Sequence, residues 1–88
     1  MLTFDEAKRA TNLEKHGIDF ADLGDLFDLP MITIEDTRET YGETRLVSLG
    51  VHANEVVVLV WTERHQRAHL ISCRKATRHE KREYLKAF

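Results

Sequence analysis

The chain has 88 residues, of which 42% are hydrophobic and 32% charged, and its formal net charge is −2. This composition is that of one folded domain over residues 1–88 with a modest core, and the single cysteine, Cys73, excludes an internal disulfide and favours a reducing compartment. No apolar run is long enough to cross a bilayer or to form an N-terminal signal, so we expect a cytoplasmic protein with no membrane partner.

The first predicted element is a helix from about Asp5 to His16. Thr3 and Glu6 have the spacing of a capping box at its start. Gly17 follows the helix and tolerates the left-handed conformation of a C-cap. The apolar stripe that this helix would bury is formed by Phe4, Ala7, Ala10 and Leu13.

A second helix is predicted to begin at Asp19, whose side chain is a good N-cap. Ile18 and Leu23 are placed to form a hydrophobic staple around that cap. Pro30 prevents the helix from continuing and starts an extended segment. The predicted buried face consists of Phe20, Leu23, Leu26 and Phe27.

Beyond Pro30 the apolar period changes from helical to alternating, which predicts strands. The third of them is apolar on both faces, as in a central strand. Short connections make these strands antiparallel neighbours. The four predicted strands are Met31–Ile34, Thr44–Val51, Glu55–Thr62 and Arg67–Arg74.

Thr77 and Glu80 form a second capping-box pattern, which predicts a C-terminal helix. Its Tyr84, Leu85 and Phe88 would pack on the sheet. The expected fold is therefore α+β, with two N-terminal helices, a four-stranded antiparallel sheet and a C-terminal helix.

Charge is distributed unevenly along the chain. Residues 61–88 contain eight Lys and Arg against three Glu, whereas residues 1–60 contain five basic and twelve acidic side chains. Clustered cations attract phosphate whatever the overall charge, so this segment favours a polyanion or an acidic protein as partner. The alternative is an ordinary solvated helix face.

Suppose that the polyanion is RNA and that the protein cleaves it without a metal. The site then needs a base for the 2′-hydroxyl proton, an acid for the departing 5′-oxygen and cations for the charge that develops at phosphorus. Arg74 and Lys75 end a strand and should point to opposite faces, and Arg64 lies in the preceding turn. The first turn of the last helix adds Arg78 and free backbone amides that favour phosphate. Candidates for proton transfer are His16, His65, His79 and Glu63.

Each candidate also has a structural explanation. A strand-end Arg is commonly a solvent-facing charge, and Glu63 could simply pair with Arg64. His16 could interact with the negative end of its helix dipole. Tyr41 and Tyr84 could stack on a base, although the spacing of Tyr84 favours the core.

The spacing of His65, His69 and Cys73, which lie four residues apart, raises the possibility of a metal site. On a strand, His69 and Cys73 would lie about 13 Å apart, too far to share one ion. We therefore expect neither a metal nor another cofactor.

Several segments in order resemble the BrnT toxins of bacterial type II toxin–antitoxin systems. The resemblance spans nearly the whole chain, and the combination is more specific than any single piece. Two residues depart from the pattern of that family: Phe4 stands where Trp is frequent, and Cys73 where a small residue such as Ala is usual. Neither departure removes a charged group. The matching residues are Asp5-Glu6-Ala7-Lys8, Asn12, 15–20, 38–45, Gly50, 62–64, 71–78 and Tyr84.

This resemblance implies a RelE-like fold and a metal-independent ribonuclease that blocks translation. It also implies a BrnA antitoxin with a ribbon-helix-helix DNA-binding domain, assembled with the toxin as a heterotetramer that binds operator DNA only through the antitoxin. The expected catalytic residues are Arg64, Arg74, Lys75, His16 and Glu63. The expected RNA-binding residues are Lys15, Arg78, His65 and His79.

Two other functions remain compatible with the sequence. A non-catalytic module could dock its basic face on nucleic acid or on an acidic protein, and would need no proton-transfer group. The chain could also keep the fold without activity and serve as a repressor subunit.

Overall fold

In a computed structural model, which describes residues 2–38, 40 and 42–88, the chain forms five strands, two α-helices and one 3-10 helix. The last helix is called α2 below. In chain order the elements are β1 (Leu2–Phe4), α1 (Glu6–His16), the 3-10 helix (Phe20–Asp28), β2 (Ile32–Asp36), β3 (Arg45–His52), β4 (Glu55–Arg64), β5 (Arg67–Lys75) and α2 (Arg78–Ala87).

The sheet is mixed and has the strand order β1-β5-β4-β3-β2. Strands β2 to β5 pair antiparallel, whereas β1 pairs parallel with β5. The predicted four-stranded antiparallel sheet was therefore wrong. A three-residue strand carries too little alternating pattern to be recognised, and its pairing with a strand over sixty residues away is a tertiary contact.

The presence of β1 also moves the start of α1. Thr3 belongs to the strand, and the N-cap is Asp5, whose carboxylate accepts hydrogen bonds from the amides of Ala7 and Lys8 at 2.8 and 3.3 Å. The capping box predicted at Thr3 is therefore wrong. The predicted C-cap is confirmed, because Gly17 has φ of +71° and its amide bonds the Leu13 carbonyl.

The predicted caps of the other two helices are confirmed. Asp19 accepts a hydrogen bond from the amide of Ala21 at the start of the 3-10 helix. Thr77 and Glu80 form a reciprocal capping box at the start of α2. These signals depend only on residues within one turn of each other, which is why the sequence alone revealed them.

One face of the sheet, which we call the core face, is covered by the 3-10 helix. Its buried residues include Phe20, Leu23, Leu26, Leu59 and Leu70. Leu2 and Phe4 of β1 also pack against this core, and the Phe4 and Phe20 rings lie 5.8 Å apart.

The two α-helices bury less than predicted. In α1 only Asn12 is buried, and Leu13 is 45% exposed, so the predicted apolar stripe is wrong. In α2, Tyr84 is buried and its hydroxyl donates to the Pro30 carbonyl, as expected for a core residue. Leu85 and Phe88 are exposed rather than packed on the sheet. No helix in the described part of the chain is long and apolar enough to span a bilayer.

Candidate nucleic-acid interface

The other side of the sheet, which we call the open face, has an apolar floor. Ser72, Val60, Val47 and Ile34 are register partners in a row across β5, β4, β3 and β2. Ile34 is 64% exposed. An exposed apolar floor bordered by charged side chains is a feature of ligand-binding surfaces.

A cavity of about 470 Å³ lies on this floor. Arg74 of β5 lines one wall, and Asp36 and Arg38 at the end of β2 line the other. The Arg38 guanidinium donates two hydrogen bonds of 2.9 Å to the Asp36 carboxylate. The cavity therefore combines an apolar floor with guanidinium groups on both sides.

Arg74 is held in a two-pronged ion pair. Its two terminal nitrogens donate to the Glu80 carboxylate at 2.8 and 2.9 Å. Glu80 also caps α2, accepting from the Thr77 amide at 2.8 Å. The hydrogen bond from Arg74, with a smaller contribution from Thr77, lowers the pKa of Glu80 to about 2 despite its partial burial. At the start of α2, where a phosphate site was predicted, a carboxylate of the protein thus bonds the Thr77 amide and the Arg74 guanidinium.

Arg64 is held in the same way at the other end of the open face. It donates to the Glu43 carboxylate at 3.1 and 2.9 Å, and this bonding lowers the pKa of Glu43. Arg74 pairs with Val58, six residues from Arg64 along β4. At about 3.3 Å per residue along a strand, the backbone positions of Arg64 and Arg74 are roughly 20 Å apart. The predicted arginine cluster is therefore two separate guanidinium positions on one face.

Lys15 and His16 line a groove between α1 and β5. The groove also contains Lys8, Thr11 and Ser72. Ser72 lines the cavity beside Arg74 as well, so the groove and the cavity meet at this residue. The structure thereby brings the Lys15–His16 pair to the edge of the open face.

Two predicted catalytic residues lie on the opposite side of the sheet. Lys75 pairs with Val57 of the core face, and its ammonium lies 3.5 Å from the Glu55 carboxylate. Glu63 lines a cavity with Trp61 and Phe27, also on the core side. Neither residue shares the face that carries Arg64 and Arg74.

The predicted RNA-binding residues at the loop and helix ends are exposed. His65 occupies the β4–β5 turn with φ of +52°. Arg78 and His79 form the first turn of α2, beside the ion pair of Arg74. Tyr41, a candidate for base stacking, lies outside the described residues.

His69 also lies on this face, although its spacing in the sequence suggested only a metal ligand. It pairs with Thr3 of β1 and Thr62 of β4, and its Nδ1 lies 2.8 Å from Thr3 Oγ1. Burial, followed by the charge of Arg64, lowers its pKa. A partner on the unrecognised strand β1 gave no signal in the sequence.

The irregular register between Val60 and Trp61 places His69 and Cys73 on opposite faces, since Leu70 and Cys73 both lie in the core. Among the described residues, no group of three or more His, Cys, Asp and Glu is placed to hold a metal ion. His69 and Cys73 therefore do not face a common point.

The fold and the open face define a small α+β protein with two ion-paired arginines on one side of a mixed five-stranded sheet. The chain matches the family model described as the ribonuclease toxin, BrnT, of type II toxin–antitoxin systems, over residues 4–80. It therefore belongs to the BrnT family of ribonuclease toxins, which implies an RNA substrate and an antitoxin partner. A comparison with curated proteins found no match.

Proposed function

We propose that the chain is an endoribonuclease that cleaves RNA on the open face without a metal ion and so inhibits translation. One observation supports this most directly: Arg64 and Arg74 lie on the same face of the sheet, and Arg74 lines the cavity over its apolar floor. Lys8 and Lys15 of α1 add positive charge along one edge. An RNA strand running along β4 and β5 would have cations near successive phosphates.

The spacing of the two arginines suggests how the strand is held. A gap of roughly 20 Å between their backbones is too wide for both to grip one phosphate. We therefore propose that they bind different phosphates of one strand. Each guanidinium now bonds a carboxylate with the geometry that it would use for a phosphate. RNA binding would exchange Glu43 and Glu80 for phosphate oxygens.

We propose that the cognate antitoxin neutralises the chain by covering the open face. A BrnA-like antitoxin with a ribbon-helix-helix domain would supply acidic groups for the two arginines. Two toxins and two antitoxins would form a heterotetramer in the cytoplasm, and the antitoxin would carry it to operator DNA to repress the operon. The toxin itself would make no operator contact in this assembly.

The test is incubation of the purified chain with total RNA in EDTA, and in a translating extract to provide ribosomes. We expect cleavage by the wild type and at least a tenfold loss in Arg74→Ala, because the phosphate loses a charged partner. Arg74→Lys should keep only part of the wild-type cleavage activity, since an ammonium cannot form the two-pronged contact with a phosphate. Lys86→Ala is the matched control, because it removes an exposed cation of α2 that does not line the cavity.

The outcomes separate the candidate functions. Cleavage in EDTA that needs Arg74 and stops when the neighbouring antitoxin is added supports the proposal. RNA binding without cleavage in either setting, retained in Arg74→Lys, would instead establish the non-catalytic docking module. Full cleavage by Arg74→Ala, at unchanged stability, would remove Arg74 from the site.

A further inference from the structure

We infer that His69 is the base that accepts the 2′-hydroxyl proton of the RNA, and that the scissile phosphate lies at the Arg64 end of the open face. This inference rests on the proposed function and locates its chemistry. It assigns a role to a residue of β5 whose neighbours come from two other strands, β1 and β4.

Geometry is the first support. His69 is half-buried on β5, between Thr3 of β1 and Thr62 of β4. Its Nδ1 lies 2.8 Å from Thr3 Oγ1, and no other described residue bonds the ring. When Nδ1 donates its proton to the Thr3 hydroxyl, Nε2 carries the lone pair of the neutral ring. A base needs this arrangement: one nitrogen held by the protein and the other available to substrate.

The charges around His69 are the second support. Arg64 of β4 and Lys8 of α1 disfavour the protonated ring, whereas Glu43, before β3, and Asp5, before α1, favour it. Burial is the largest influence, and the pKa falls below its ordinary value of 6.5. His69 is therefore mainly neutral at pH 7, the state in which it can accept a proton. Arg64 and Lys8 also provide positive charge for the phosphate beside it.

The other candidates are less suited to this step. Glu43 is near, but its carboxylate is bonded by Arg64 and its pKa is lowered, which makes it a weaker base. Glu63 lies on the core side of the sheet. His65 lies in an exposed turn, and His16 at the far end of α1; no hydrogen bond from a described residue orients either ring.

The proposed step is a transesterification. Nε2 of His69 takes the 2′-hydroxyl proton while the 2′-oxygen forms a bond to phosphorus. The bond between phosphorus and the 5′-oxygen breaks with both electrons on that oxygen, which takes a proton from water. Arg64, released from Glu43, neutralises the charge on the non-bridging oxygens. The products are a 2′,3′-cyclic phosphate and a 5′-hydroxyl, and His69 then returns its proton to solvent.

The experiment measures single-turnover cleavage from pH 4.5 to 9, under the conditions in which the wild type cleaves RNA. The wild-type rate should rise with pH through the lowered pKa of His69 and then level off. The cleavage rates of His69→Gln and His69→Ala at pH 7 should be about 100-fold or more below that of the wild type, which is the usual contribution of one acid–base group. Their rates should also no longer rise with pH on the acidic side of the profile. Imidazole in solution should restore part of the His69→Ala rate, which a purely structural role would not allow. His52→Gln is the matched control, because His52 bonds Asp25 and lines a separate pocket away from the open face.

Two results would overturn the assignment while leaving the proposed function intact. One is a His69→Gln protein that cleaves within threefold of the wild type with the same pH profile. The other is a loss of activity without any imidazole rescue in a variant whose urea midpoint is unchanged. Absence of cleavage by the wild type, with or without ribosomes, would overturn both proposals together.

Discussion

Replacing Asn12 should cost more stability than its place on a mostly exposed helix suggests. Asn12 is 5% exposed, and its amide nitrogen donates to the carbonyls of Ile18 and Cys73, both at 3.0 Å. Its amide oxygen accepts from the Cys73 backbone N–H, also at 3.0 Å. β1 pairs with this edge of β5 only as far as Leu70. At Cys73 the Asn12 side chain therefore makes the backbone hydrogen bonds that a neighbouring strand would otherwise make.

The magnitude follows from those three bonds. Asn12→Ala leaves one N–H and two carbonyls without their side-chain partner, and each buried unsatisfied group costs about 1–3 kcal/mol. We expect a loss of about 3 kcal/mol or more in the free energy of unfolding. A domain of this length has a total of roughly 4–13 kcal/mol, so this one side chain carries a large share. Asn12→Asp should be at least as damaging at pH 7, because a carboxylate would face two carbonyls. Lowering the pH should relieve part of that loss as the carboxyl becomes a donor.

Urea unfolding followed by far-UV circular dichroism measures the effect. Thr11→Ala is the matched control, because Thr11 is exposed on the same helix and should stay within about 0.5 kcal/mol of the wild type. A loss below about 1 kcal/mol for Asn12→Ala, with the wild-type m-value, would refute the argument that Asn12 completes the edge of β5.

Two further predictions concern titratable groups. The folded state lowers the pKa of Glu80 from 4.5 to about 2, so the stability that it contributes is present above pH 4.5 and lost as the pH falls towards 2. Glu80→Gln should therefore lose less stability than the wild type between pH 6 and pH 3 in urea titrations; an identical loss would contradict this linkage. Burial raises the pKa of the Cys73 thiol to about 12, so iodoacetamide should modify the folded protein at pH 8 far more slowly than the urea-unfolded chain. Comparable rates, measured by mass spectrometry, would show that the thiol is accessible.

Local signals account for the parts of the fold that the sequence determined by itself. Gly17, Asp19, and the Thr77 and Glu80 pair act within one turn of a helix, and the structure confirms each cap. The strands after Pro30 were predicted to within two residues at each end, because their alternating pattern extends over enough positions to be recognised. The charge of residues 61–88 likewise indicated that cations would gather near β5 and α2.

Tertiary contacts decided the rest. β1 exists because β5 offers a free edge, and Asn12 is buried because β1 ends before Cys73. The register of the sheet put Arg64 and Arg74 on the open face and Lys75 on the core face. His69 became a candidate base because Thr3, sixty-six residues away, fixes its ring. Pairings across such separations depend on which surfaces meet when the core closes, and no local pattern encodes them.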